Sequence, residues 1–127
     1  MAGVVYLDTH VVVYLYQGTV DRLSPAARRA IEDHELLVSP AVVLELEYLH
    51  EIGRLAPNAS RVAGALARDV GLQVCPLPFP TVVEQALGEK WGRDPFDRLI
   101  VAQAKAKGAT LVTKDEKIRR HYPQALW

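Results

Sequence analysis

Two hydrophobic rhythms alternate along the chain. Val4–Leu7, Leu36–Ser39, Leu72–Cys75 and Thr110–Val112 are short, nearly continuous apolar runs, the pattern of strands covered on both faces in a parallel sheet. Between them apolar residues recur at three- and four-residue spacing, and these stretches carry recognisable helix ends. Ser24-Pro25 supplies an N-cap and a first-turn proline for a helix over Ala26–Asp33. Ser39-Pro40 does the same for Pro40–Ile52, which stops at Gly53. Asn58 caps Ala59–Val70, closed by Gly71, and Asp94-Pro95 opens Pro95–Lys107, closed by Gly108. Shorter helices fit Thr9–Gln17 and Glu116–His121, and Leu77-Pro78-Phe79-Pro80 reads as a stiff connector.

Repeated strand–helix alternation in a chain of 127 residues predicts a single α/β domain over residues 1–127. Its expected form is a three-layer α/β/α sandwich with a central, mainly parallel sheet. Composition adds little to that picture and removes some function classes. Formal net charge is zero, so bulk charge does not mark a nucleic-acid binder. The charge is uneven, with 6 basic and 10 acidic residues in 1–88 against 9 basic and 5 acidic in 89–127. The second part can therefore face an anionic partner. Cys75 is the only cysteine, which excludes an internal disulfide and points to a reducing compartment. Neither a basic leader before an apolar segment nor an apolar run of ~18 residues is present, so a cytoplasmic protein without membrane association is expected.

The informative residues are acids in apolar settings. Asp8 closes Val4-Val5-Tyr6-Leu7, Asp97 precedes Leu99-Ile100-Val101-Ala102, and Asp115 follows Thr110-Leu111-Val112-Thr113-Lys114. Glu45 is flanked at helical spacing by Ala41, Val42, Tyr48 and Leu49, which puts it on the apolar stripe. A buried lone carboxylate protonates, pairs or binds a cation. Sites in open parallel sheets lie beyond the carboxyl ends of the strands, where Asp8, Glu45, Asp94, Asp97 and Asp115 can all meet. Carboxylates converging without Lys or Arg suit a hard divalent cation. Helix capping is the competing explanation, strongest for Asp94, real for Asp97 and Asp115, and poor for Glu45. The four histidines show no ligand spacing, and His50-Glu51 fails as a zinc motif because Arg54 stands where the second histidine belongs.

Four segments together resemble the PIN-domain family, in particular VapC-like toxins of toxin–antitoxin pairs. They are Leu7-Asp8-Thr9-His10, Ser39-Pro40-Ala41 with Leu44-Glu45-Leu46, Asp94-Pro95-Phe96-Asp97-Arg98-Leu99 continuing to Ala104, and Leu111-Val112-Thr113-Lys114-Asp115. The resemblance runs nearly end to end, with Tyr14 where relatives often carry Trp and Gly92 where many carry His. It implies a metal-dependent endoribonuclease with catalytic acids Asp8, Glu45, Asp97 and Asp115, and with Asp94 and Thr113 as auxiliaries. Asp8 and Asp97 would hold Mg²⁺ or Mn²⁺, and Arg93, Arg98 and Lys114 would contact RNA phosphates. The implied substrate is structured RNA of the tRNA or rRNA class, cut in a single-stranded loop because A-form duplex hides its bases. The implied partners are a small antitoxin protein and a second copy of the chain. The antitoxin would dock on Thr9–Gln17 and Pro40–Ile52 through Tyr14, Tyr16 and Tyr48. Alternatives are a PIN nuclease of RNA processing, a non-catalytic module, and a receiver-like signalling domain. The last lacks an acid pair after the first strand and an Asp ending a central one.

Overall fold

The computed structural model describes residues 3–127; Met1 and Ala2 of the expected domain lie outside the described residues. One sheet contains β1 (Val4–Leu7), β2 (Glu35–Val38), β3 (Gln73–Val74), β4 (Thr110–Val112) and β5 (Ala125–Leu126), in the order β3-β2-β1-β4-β5. All its pairings are parallel. The helices are α1 (Thr9–Gln17), α2 (Pro25–Asp33), α3 (Pro40–Glu51), α4 (Ala59–Val70), α5 (Phe79–Leu87), α6 (Pro95–Ala106) and α7 (Glu116–His121). Val5, Tyr6 and Leu7 point to alternate faces of the central strand, yet all three are buried. Helices therefore cover both faces of the sheet, giving the three-layer architecture that the continuous apolar runs imply.

The strand order fixes where a site can form. The chain leaves β1 for β2 on one side, while β4 pairs with β1 on the other. Such a reversal opens a crevice beyond the carboxyl ends of the two strands. Leu7 is in register with Val112, and the Asp8 amide donates to the Val112 carbonyl at 3.0 Å. Asp8 and Thr113 consequently flank the crevice.

Helix ends follow the local sequence. The side chains of Ser24 and Asn58 accept from the amides of Ala27 and Arg61 at 3.0 and 2.9 Å. Gly71 ends α4 at φ 71°, a left-handed conformation that favours glycine. One element departs from expectation: α5 begins inside the Leu77–Pro80 segment that reads as a connector. Pro80 falls in its first turn, where a missing amide hydrogen costs nothing, and Pro78 provides no side-chain cap, so the usual start signal is absent. Val82 and Ala86 of α5 pack on Ala102 of α6. The two-residue strand β5 is likewise too short to carry a period.

The connection from α5 to α6 is anchored by a buried acid. Glu89 is 3% exposed; Lys105 Nζ donates to its Oε1 at 3.1 Å and Trp91 Nε1 to its Oε2 at 2.6 Å. Pairing and hydrogen bonding together make that burial tolerable. The pair also sets the path of the segment leading to Asp94.

Candidate functional site

Asp8 follows β1 directly and is buried. Its Oδ1 accepts from the Thr9 amide at 2.8 Å and its Oδ2 from the Thr113 hydroxyl at 2.6 Å. The Thr113 Oγ1 in turn accepts from the Asp115 amide at 3.1 Å, which aims the hydroxyl proton at Asp8. Glu45 projects from the middle of α3, half-buried, and its Oε1 accepts from the Thr9 hydroxyl. Thr9 thus contacts both carboxylates, one through its amide and one through its side chain.

Asp94 is the N-cap of α6, its Oδ1 accepting from the amides of Phe96 and Asp97 at 2.8 and 3.3 Å. Asp97 sits in the first turn of that helix, half-buried. Asp115 is exposed and caps α7 through the Ile118 amide at 2.9 Å. All five acids line one cavity of about 380 Å³, together with His10, Tyr14 and Lys114.

Negative charge predominates in this cavity, tempered by Lys114 in its lining and by His10, which favours the ionised forms of Asp8 and Glu45. Burial raises the Asp97 carboxyl to about 7, and the charges of Asp94, Asp8, Asp115 and Glu45 push the same way. That the four other acids act on Asp97 agrees with the cavity lining they share with it. Asp8 is also raised by burial, against the hydrogen bonds from Thr113 and Thr9. Glu45 is raised by burial and by Asp8, against the Thr9 hydrogen bond. The ion pairs among the described residues are Arg68–Asp69 and Lys105–Glu89, so neither reaches these acids.

Other sequence-derived candidates lie elsewhere or differently. Arg98 lines a separate groove between α5 and α6 and donates to the Ala86 carbonyl at 3.0 Å. Arg93 is exposed beside the same groove, its guanidinium directed to the Lys90 carbonyl at 3.4 Å. Lys114 alone of the three lines the acid cavity. Tyr14 is not an exposed anchor: it is buried beneath Arg22, whose guanidinium carbon lies 5.5 Å from the ring centroid. Thr9 and His10 are the additions: both fall in the Leu7–His10 segment that carries the resemblance, but nothing in the sequence gives them a role, and a threonine at the first turn of α1 looks like ordinary helix.

The donor set suits a hard cation. The available ligands are carboxylate oxygens, and a bound cation would favour the ionised form of these raised groups. Among the described residues no three His, Cys, Asp or Glu side chains are gathered closely enough to hold a metal ion by themselves. Mg²⁺ needs no such cage, since it takes one or two carboxylates and keeps several waters.

Comparison with known proteins follows the same lines. The family model for the PIN domain matches residues 5–122. Ribonuclease VapC22 of Mycobacterium tuberculosis is 36% identical over 132 aligned positions, covering 97% of this chain and 98% of the relative. Among solved structures, VapBC2 of Rickettsia felis bound to a promoter DNA fragment matches at TM-score 0.64 and 18% identity, covering 97% of this chain and 96% of the other. DNA-bound VapBC of Salmonella typhimurium matches at TM-score 0.64 and 20% identity, covering 98% and 96%.

Proposed function

The chain belongs to the PIN-domain family as a VapC-like member, and on that premise we propose that it is a Mg²⁺-dependent endoribonuclease, the toxin of a toxin–antitoxin pair. The observation that carries this reading is the acid cavity, in which five carboxylates outnumber the single Lys114 and none is held in an ion pair among the described residues. Asp8 and Asp97 would hold Mg²⁺ or Mn²⁺. Such an ion would supply a water of lowered pKa and positive charge against that building on the phosphate.

This chain's own residues supply the remainder. Thr113 and the Thr9 amide fix both Asp8 oxygens, so the carboxylate cannot rotate away from the crevice. Thr9 holds Glu45 toward the same space, where its raised affinity for protons suits it to accept one from the attacking water. Asp115 and Asp94 add negative charge at the rim, and Lys114 is placed to hold a phosphate oxygen. A crevice open beyond the strand ends has room for a single strand, and the likeness to VapC-like toxins implies a loop of structured RNA of the tRNA or rRNA class. No helix among the described residues is long and apolar enough to cross a membrane, in keeping with action in the cytoplasm.

Replacing Thr9 with Val leaves its amide bond to Asp8 and removes the hydroxyl that holds Glu45. RNA cleavage is expected to fall about 10–100-fold, as when outer partners of metal-site residues are lost, with thermal stability nearly unchanged. Cleavage at the parental rate would show that Thr9 does not position Glu45.

The antitoxin would use α3, where Leu44, Tyr48 and the C-cap residue Ile52 form an exposed stripe at four-residue spacing. An arginine delivered from it among the acids would satisfy them bidentately and exclude the cation. A homodimer is the expected toxin unit. The test is co-expression with the adjacent small gene product, then RNA cleavage by each purified form with Mg²⁺ or chelator. Copurification, with cleavage only by the freed chain in Mg²⁺, supports the toxin reading. Cleavage without a copurifying partner or growth arrest favours RNA processing instead.

A further inference from the structure

Beside the acid cavity lies a strip that the catalytic acids do not use. The segment between α5 and α6 packs against α7: the Trp91 and His121 rings stack with centroids 5.3 Å apart and planes 8° apart. Next to them, a side-chain carbon on Gly92 would lie 3.8 Å from Lys117 Nζ. Trp91 is held from behind by its 2.6 Å bond to the buried Glu89, so the stack has a fixed orientation. His121 is exposed, as are Lys90, Arg93, Lys114 and Lys117. None of these four cations pairs with a carboxylate among the described residues, and Glu116 is the one acid of α7. Lys114 lines the acid cavity and immediately precedes Asp115, the N-cap of α7, so the helix that carries Lys117 and His121 starts at the cavity.

Unpaired cations beside an oriented aromatic pair match the chemistry of single-stranded nucleic acid: phosphates for the cations and a base face for the ring. We propose that single-stranded RNA leaves the acid cavity over this strip, its backbone following Lys114, Lys117 and Arg93, with one base stacked on the outer face of His121. The proposal rests on the nuclease reading and assigns its substrate path. An acidic peptide would satisfy the cations but would leave the aromatic face unused.

The test measures binding of a fluorescent single-stranded oligoribonucleotide to the cleavage-disabled Asp97→Asn chain, alone and with added substitutions. His121→Ala is expected to weaken binding about tenfold, as loss of a stacking platform does, while His121→Phe retains it. Lys117→Gln is expected to weaken binding and reduce the slope of log affinity against log salt by ~0.7. Thermal melts check folding, and the Phe substitution separates stacking from damage to α7. Equal affinity across the parent, His121→Ala and Lys117→Gln overturns the path, as does an oligoglutamate peptide that displaces the RNA at comparable concentration. Cleavage by the unsubstituted chain is measured separately: its absence removes the nuclease reading, whereas the binding series alone decides the strip.

Discussion

Asp97→Asn is expected to lower Mg²⁺-dependent RNA cleavage by about 100-fold or more and, near pH 8, to make the metal-free chain more stable. The two effects have one origin. Asp97 is half-buried among four other acids, and its affinity for a proton is raised to about 7. Near pH 8 the native state must hold it ionised at a free-energy cost that the unfolded chain does not carry. After discounting for solvent screening, relief of that cost is on the order of 1–2 kcal/mol, worth a few degrees in melting temperature. Asparagine removes the charge and with it the attraction for a cation. Asp94→Asn is the informative comparison. Asparagine caps a helix about as well as aspartate, so the acceptor for the Phe96 and Asp97 amides survives, and Asp94 lies on the exposed side of the cavity. Cleavage should fall less than about tenfold if Asp94 contributes field rather than ligation. Equal loss in the two variants would make Asp94 a ligand, and a destabilised Asp97→Asn would contradict the charge cluster itself.

The parts legible in the sequence are those where burial and charge conflict locally. Asp8 ends an apolar strand and Glu45 interrupts an apolar helix stripe, so both stand out from their neighbours along the chain. The helix boundaries are legible because Ser24, Ser39, Asn58 and Asp94 announce them through side-chain caps. α5 is hidden because Pro78 supplies no such bond. Thr9 is hidden for a different reason: its hydroxyl meets Glu45, 36 positions away, and no local rule reports that. The pairing of Trp91 with His121 likewise depends on how α7 returns to the α5–α6 connection. Tyr14 shows the two readings apart: its place with Val11–Val13 on a helix face suits packing, which the fold bears out by burying it, while the anchor role implied by the resemblance does not fit. Exposure lies instead one helix away, at Leu44 and Tyr48. Sequence periodicity finds an apolar face but does not say which part of it a neighbouring helix will cover.

Metal and pH should act on the same groups in opposite directions. The Asp97 carboxyl has a native value of about 7, against roughly 3.9 in an unfolded chain. Between those values the native state binds more protons than the unfolded one, so stability declines as pH rises through that window. Asp8 and Glu45 are shifted in the same direction by burial and steepen the decline. The metal-free chain is therefore expected to melt higher near pH 5 than near pH 8, the reverse of a protein whose acids are paired in the native state. A divalent cation must displace the protons it competes with, so its stabilisation grows with pH. With free Mg²⁺ about a hundredfold above its dissociation constant, the gain near pH 8 is about 2–3 kcal/mol, and near pH 5 it should almost vanish. Melting curves at both pH values, with chelator or Mg²⁺, check this directly. In Asp97→Asn both the pH dependence and the Mg²⁺ gain should shrink together, because one carboxylate carries much of each. A metal-free chain that becomes more stable toward pH 8, or a Mg²⁺ gain that survives Asp97→Asn intact, would mean that the charge in this cavity is compensated from elsewhere.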